Sequence, residues 1–175
     1  MSSENQTAAS PPGYLAGFIT LIVVILGIVG WIFIGSSLTL SSFYASFLFL
    51  WYWATINQLD IRKFPSSMVG ALVGVGLAWG VHDLPVLLGT PGVVLSLLLV
   101  LCAIYLLILE KFTFVFNPAM ALYLTVIAAP ALLETSDFRE VGLATLIGGA
   151  FFAGFVFCVQ FIASKFTSDT SETSA

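Results

Sequence analysis

An all-α, polytopic membrane bundle of about six transmembrane helices is the fold class this sequence predicts, and three observations carry it. Apolar stretches, most of them near the ~20 residues that a helix needs to cross a bilayer core, follow one another from Tyr14 to Ser164. Formal charges fall in the tails and short connectors, because lipid offers no partner for a charge or a bare backbone group. The composition is 59% hydrophobic and 8% charged, where an average soluble domain is nearer ~25% charged.

Residues 1–12 read as a polar N-terminal tail without Lys or Arg. It lacks the basic n-region of a cleavable signal, so the first apolar run is expected as a retained helix over 14–35. Gly35-Ser36-Ser37 is expected as a tight hairpin into a second helix over 38–57. That helix ends in Leu50-Trp51-Tyr52-Trp53 followed by Asn57, Gln58 and Asp60, the aromatic-polar edge of a bilayer interface. Pro65 suits the first turn of a third helix over 65–81, since no N–H bond is lost there. His82-Asp83-Leu84-Pro85 is expected to close it, and 84–90 reads either as an interfacial turn or as a partly re-entrant loop. Helix 4 is expected over 91–109, ended by Glu110-Lys111, and helix 5 over 117–133. The acidic loop 134–140 leads to a last helix over 141–164. The transmembrane domain is thus 13–165, and 166–175 reads as a disordered, acidic, Ser/Thr-rich C-terminal tail.

Six passes place both termini on one side of the membrane. Arg62, Lys63, Lys111 and Lys165 fall on that side and only Arg139 on the other. The positive-inside rule then puts both termini in the cytoplasm.

Glycine marks two helices. Gly70/Gly74 and Gly76/Gly80 are small-xxx-small pairs, and Gly148 and Gly149 sit in the last helix. Spacing by four lets another backbone approach one face. The plain reading is tight helix packing; the sharper one is room for a solute path, and the same residues support both. Phe64-Pro65-Ser66-Ser67-Met68 and Phe116-Asn117-Pro118-Ala119-Met120 echo each other weakly at two helix starts.

Inside the spans the notable polar groups are Gln160, Asn57 near the end of helix 2, and Asn117 at the start of helix 5. These three are the candidate solute path. Carboxylates and amines are missing from the span interiors, which argues against proton-coupled carriers and pumps and favours a neutral or weakly polar solute. His82 and Asp83 form a candidate pH-sensitive pair, with an interfacial cap as the plainer alternative. Cys102 and Cys158 lie in apolar runs and read as small packing residues. No nucleophile-base pair, phosphate loop or metal-ligand cluster is visible, so neither an enzyme nor a cofactor or metal is expected. A basic stripe is lacking too, which argues against nucleic acid. The expected partners are the lipid bilayer and a homo-oligomer or another membrane protein.

Asn117-Pro118-Ala119 resembles the triplet that caps the half-helices of aquaporins. The resemblance ends there: the chain holds one such triplet, Met120 follows it rather than Arg, and routine N-capping by Asn117 with Pro118 at N1 explains the same residues. A broader likeness runs from about Phe43 to Val159. It rests on the aromatic-ended helix 2, the Gly-rich helix 3 with Ala78-Trp79, the Phe116–Ala119 segment, and Asp137-Phe138-Arg139 before a Gly/Ala-rich last helix. On these features the chain resembles the YcdZ-like family of small bacterial inner-membrane proteins. That resemblance implies architecture and location and no activity. Two functions stand open: a passive channel or transporter for a small neutral or weakly polar solute, and a structural or accessory membrane subunit, which the 16 Phe suit.

Overall fold

Prolines and left-handed residues, more than polar runs, decide where the helices stop. In the computed structural model residues 13–172 are described; 1–12, the expected N-terminal tail, and 173–175 lie outside them. The elements are α1 (Tyr14–Ser37), α2 (Phe43–Thr55), α3 (Phe64–Leu88), α4 (Thr90–Ile108), α5 (Pro118–Ile127), α6 (Pro130–Leu133) and α7 (Phe138–Glu172). A 3-10 turn, Ile61–Lys63, leads into α3. The described residues contain no strand, and the chain is an all-α bundle.

Several boundaries differ from expectation. Ser36 and Ser37 belong to α1, and the hairpin is 38–42. Thr39 takes φ 57 while Leu40 N–H reaches back to Gly35 O at 3.0 Å, a six-residue closure that satisfies carbonyls at the helix end. Glu110 does the same for α4: its φ is 52, and Lys111 N–H bonds to Leu106 O at 3.0 Å. The largest correction concerns α3. His82 and Asp83 do not close it, and 84–88 is neither a re-entrant loop nor an interfacial turn but the final helical stretch, with Pro85 inside. Proline removes one N–H donor and crowds the carbonyl four residues back, that of Val81, yet α3 runs on to Gly89. Gly89 alone joins α3 to α4, at φ 65 and ψ −138, a conformation few side chains tolerate. Helix 5 breaks early because Pro130 pushes Ala129 to ψ 135, out of helical space. The last helix continues past Lys165 to Glu172, into the segment expected as tail.

Four segments are long and apolar enough to cross a bilayer: Gly17–Ser37, Ile61–Leu88, Thr90–Ile108 and Phe138–Lys165. The other two helices expected to cross, α2 and α5, are shorter. The 13 residues of α2 rise about 20 Å and the 10 of α5 about 15 Å, against a ~30 Å hydrocarbon core.

The bundle centres on α3, which packs against α2, α4, α5 and α7. The core joins Phe49, Trp53, Met68, Ala71, Val75, Tyr123, Ile127, Val141 and Ala144. A second, aromatic knot ties α1 to α7, with the Trp31 ring 5.7 Å from Phe151, 6.0 Å from Phe152 and 6.2 Å from Phe43. The Trp31 indole N–H is buried there without a hydrogen-bond acceptor. Large apolar side chains, among them Phe33, Leu98, Leu101 and Ile108, face outward. Large side chains are left outward for lipid, while glycines on α3 and α7 let the helices come close around the aromatic core.

One carboxylate clasps the chain together. Glu140, in the first turn of α7, accepts from the N–H groups of Ser41 and Ser42 and from the Ser41 hydroxyl, the last at 2.9 Å. It thereby caps the start of α2 across 98 residues of sequence, where Ser42 makes no side-chain cap of its own. Tyr44 and Ser136 bond beside it at 2.9 Å.

Candidate functional site

The end of the bundle opposite the Glu140 clasp gathers three segments: the close of α2, the 3-10 turn with the start of α3, and the start of α5. Asp60 shapes the turn, accepting from Arg62 N–H at 2.9 Å, while the Trp53 indole donates to Asp60 O at 3.0 Å. Ser67, in the first turn of α3, donates to Lys63 O at 2.8 Å and receives the Asn57 amide at 2.6 Å. Asn57 is thus drawn from the end of α2 onto α3.

Asn117 does more. Its Oδ1 accepts from Ala119 N–H at 3.0 Å and Met120 N–H at 3.3 Å, capping α5. Its Nδ2 donates to Ser66 O at 2.8 Å, with Ser66 Oγ and Phe114 O each at 3.3 Å. Gly70 makes this possible, since a Cβ there would overlap the Asn117 side chain. The two helix starts that echo each other in sequence therefore lie side by side, Ser66 against Asn117. A pocket of about 270 Å³ opens between them, lined by Tyr52, Ile56, Asn57, Lys63, Ser66, Ser67, Asn117 and Pro118. Lys63 has no ion-pair partner among the described residues. Its exposed lining is mostly apolar, with hydroxyls, amides and one ammonium set into it.

Gln160 does not join this pocket. It lies on α7 beside an apolar cleft between α1, α2 and α7, away from Asn57 and Asn117. The three-residue path expected from sequence is thus divided: Asn57 and Asn117 come together and Gln160 stands apart. The glycines divide as well. Gly70 admits Asn117; Gly74 lies against Met120 O and Tyr123 Cβ; Gly148 lies against Ser46 and Trp31; Gly149 lies against Met68 and Phe49. Gly76 is exposed with nothing within 4 Å of an added Cβ, and Gly80 meets only Leu84 of its own helix, at 3.6 Å. Gly80 is buried and Gly76 is not, so the two do not form a packing pair.

His82 and Asp83 sit within α3 toward the clasp end. Nδ1 of His82 is 2.6 Å from Oδ1 of Asp83, and the imidazole lies 5.6 Å from the Phe138 ring. Sequence reasoning missed Glu140 as a clasp, although its place in the acidic loop was visible. It also missed Lys63, Ser66 and Ser67 as pocket walls. Only Ser66 and Ser67 carried a signal, as the polar first turn of a Pro-started helix. Compared with family models, curated proteins and solved structures, the chain gives no significant match.

Proposed function

We propose that this chain is an integral protein of the bacterial inner membrane that serves as a structural or accessory subunit, presenting apolar helices to a partner within the bilayer. The observation that carries this reading is the filling of the glycine faces. Where a solute path would run, Gly70, Gly74, Gly148 and Gly149 hold Asn117, Tyr123, Trp31 and Phe49, while α4 leaves a wide Leu-rich face outward. Membrane helices associate through such surfaces by packing rather than by a hydrophobic drive. The placement of Arg62, Lys63 and Lys111 by the polar pocket, opposite Arg139, supports cytoplasmic termini, as does the YcdZ-like resemblance for location.

A photocrosslinker at Leu98 on α4 tests the reading in cells. Discrete protein adducts are expected at Leu98 and not at the buried Ala71, with purified chain giving no solute flux in proteoliposomes. Permeation of urea or glycerol above protein-free vesicles, abolished by Asn117→Leu, overturns it.

The polar pocket favours a second reading, in which the chain binds a small neutral or weakly polar solute from the cytoplasmic side. Its walls of Tyr52, Asn57, Ser66 and Ser67 support this. Solute binding lost in Asn57→Leu but kept in Gln160→Leu is the expected signature.

A further inference from the structure

The cleft beside Gln160 has a feature that packing alone does not explain. At Gly27 and Gly30, α1 lies directly on Phe155 and Phe151 of α7. Nearer the start of α1 the helices part. Thr20, Val23 and Val24 face Val156, Val159 and Gln160 across a cleft of about 380 Å³, within the ~300–1,000 Å³ range of single-ligand sites.

The α1 and α7 walls belong to segments long and apolar enough to cross a membrane, α2 adds Leu50 and Ala54, and nearly all of the lining is apolar. Water finds no partners along such walls, and an empty gap forfeits its dispersion contacts. The end of the cleft is different. The exposed Gln160 amide makes no hydrogen bond among the described residues, although it lies in an apolar span. A bare amide in hydrocarbon demands a partner. Gln160 lies five residues before Lys165, the charge that closes the span, which is about 7.5 Å of helix rise. So short a rise from the closing charge keeps Gln160 near the boundary of headgroups and acyl chains, where lipid ester carbonyls lie.

We propose that this cleft is a phospholipid site, holding one acyl chain between α1 and α7 while Gln160 Nε2 donates to the chain's ester carbonyl. The site is separate from the outward face of α4 and goes beyond an accessory role: it stands whether or not a partner docks there.

The test uses the full-length protein in phosphatidylcholine vesicles doped with phosphatidylcholine carrying a diazirine in mid-chain. Photolabelling is expected to concentrate on Val23, Val24 and Val159 relative to Leu98 and Leu101 of α4. Val24→Trp fills the cleft and is expected to bring its labelling down to the α4 level. Gln160→Leu is expected to lower cleft labelling about fivefold, the effect of one intramembrane hydrogen bond of ~1 kcal/mol. An ether-linked probe without the ester carbonyl is expected to show the same drop on the native chain. It does so without any mutation, so a misfolded variant cannot mimic the result. Equal labelling of cleft and α4, unchanged labelling in Val24→Trp, or equal labelling by ester and ether probes overturns the proposal. So does an unlabelled cleft that crosslinks through Cys at position 24 to a second copy.

Discussion

Helices α3 and α4 are joined by a single glycine and both qualify as membrane spans, yet they live in different environments. The α3 segment has a mean hydropathy of 1.6 and the α4 segment 2.7. The less apolar helix is the one at the centre of the protein. It buries Ser67, Met68, Gly70, Ala71, Gly74, Val75, Ala78 and Gly80, whereas α4 buries only Gly92, Ser96 and Ala103. In water the more apolar helix would be the hidden one. In lipid, apolarity gives no preference for protein over solvent, so the discriminating property is size: small side chains let backbones meet, and large ones fill contact with acyl chains.

Substitutions along this pair break or sharpen the comparison. The largest effect is expected from Gly74→Leu, which forces a side chain into Met120 O and Tyr123 Cβ, the latter 2.7 Å from where a Cβ would stand. Overpacking typically costs about 1–3 kcal/mol and more where backbone is the obstacle, so loss of the folded species in a detergent thermal-stability assay is expected. Next comes Asn117→Ala. It strips the cap from Ala119 and Met120 and the donor from Ser66 O, and about 2–3 kcal/mol of destabilisation is expected by steric trapping in bicelles. A smaller loss, about 1–2 kcal/mol, is expected for Glu140→Ala, because the uncapped Ser41 and Ser42 N–H groups regain water or headgroup partners at the bundle end. Amide exchange at the start of α2 should rise in the same variant. Leu98→Ala on the outward face of α4 is expected within about 0.5 kcal/mol of the native chain. A cost at Leu98 as large as that at Gly74 would show that size does not sort these two helices.

The two ends of the bundle were unequally legible. Asn117 and Pro118 announce a helix start, and the structure uses them so. That Asn117 also ties α5 to α3 depends on Gly70, 47 positions earlier, and no local pattern connects them. Gly76 and Gly80 carry the same spacing as Gly70 and Gly74, yet only Gly80 of the two is buried, because spacing defines a face but not what stands opposite it. Pro85 misled in the other direction. A proline near an Asp reads as a stop, but loss of one N–H is tolerated once neighbouring helices hold the segment, as α4 does here.

The sequence by itself determined the solvent and the class: long uncharged apolar runs permit only helices in lipid, since every backbone group must be paired within its own segment. It also determined the polar ends, through the placement of charge. Only the tertiary structure decided which glycines carry contacts, that Asn57 and Asn117 share a pocket while Gln160 borders a separate cleft, and that Glu140 caps a helix 98 residues away. The physical reason is range. Backbone pairing in lipid is local and periodic, so composition reports it, whereas side-chain partners across helices are fixed by rotation and register, which no single segment encodes.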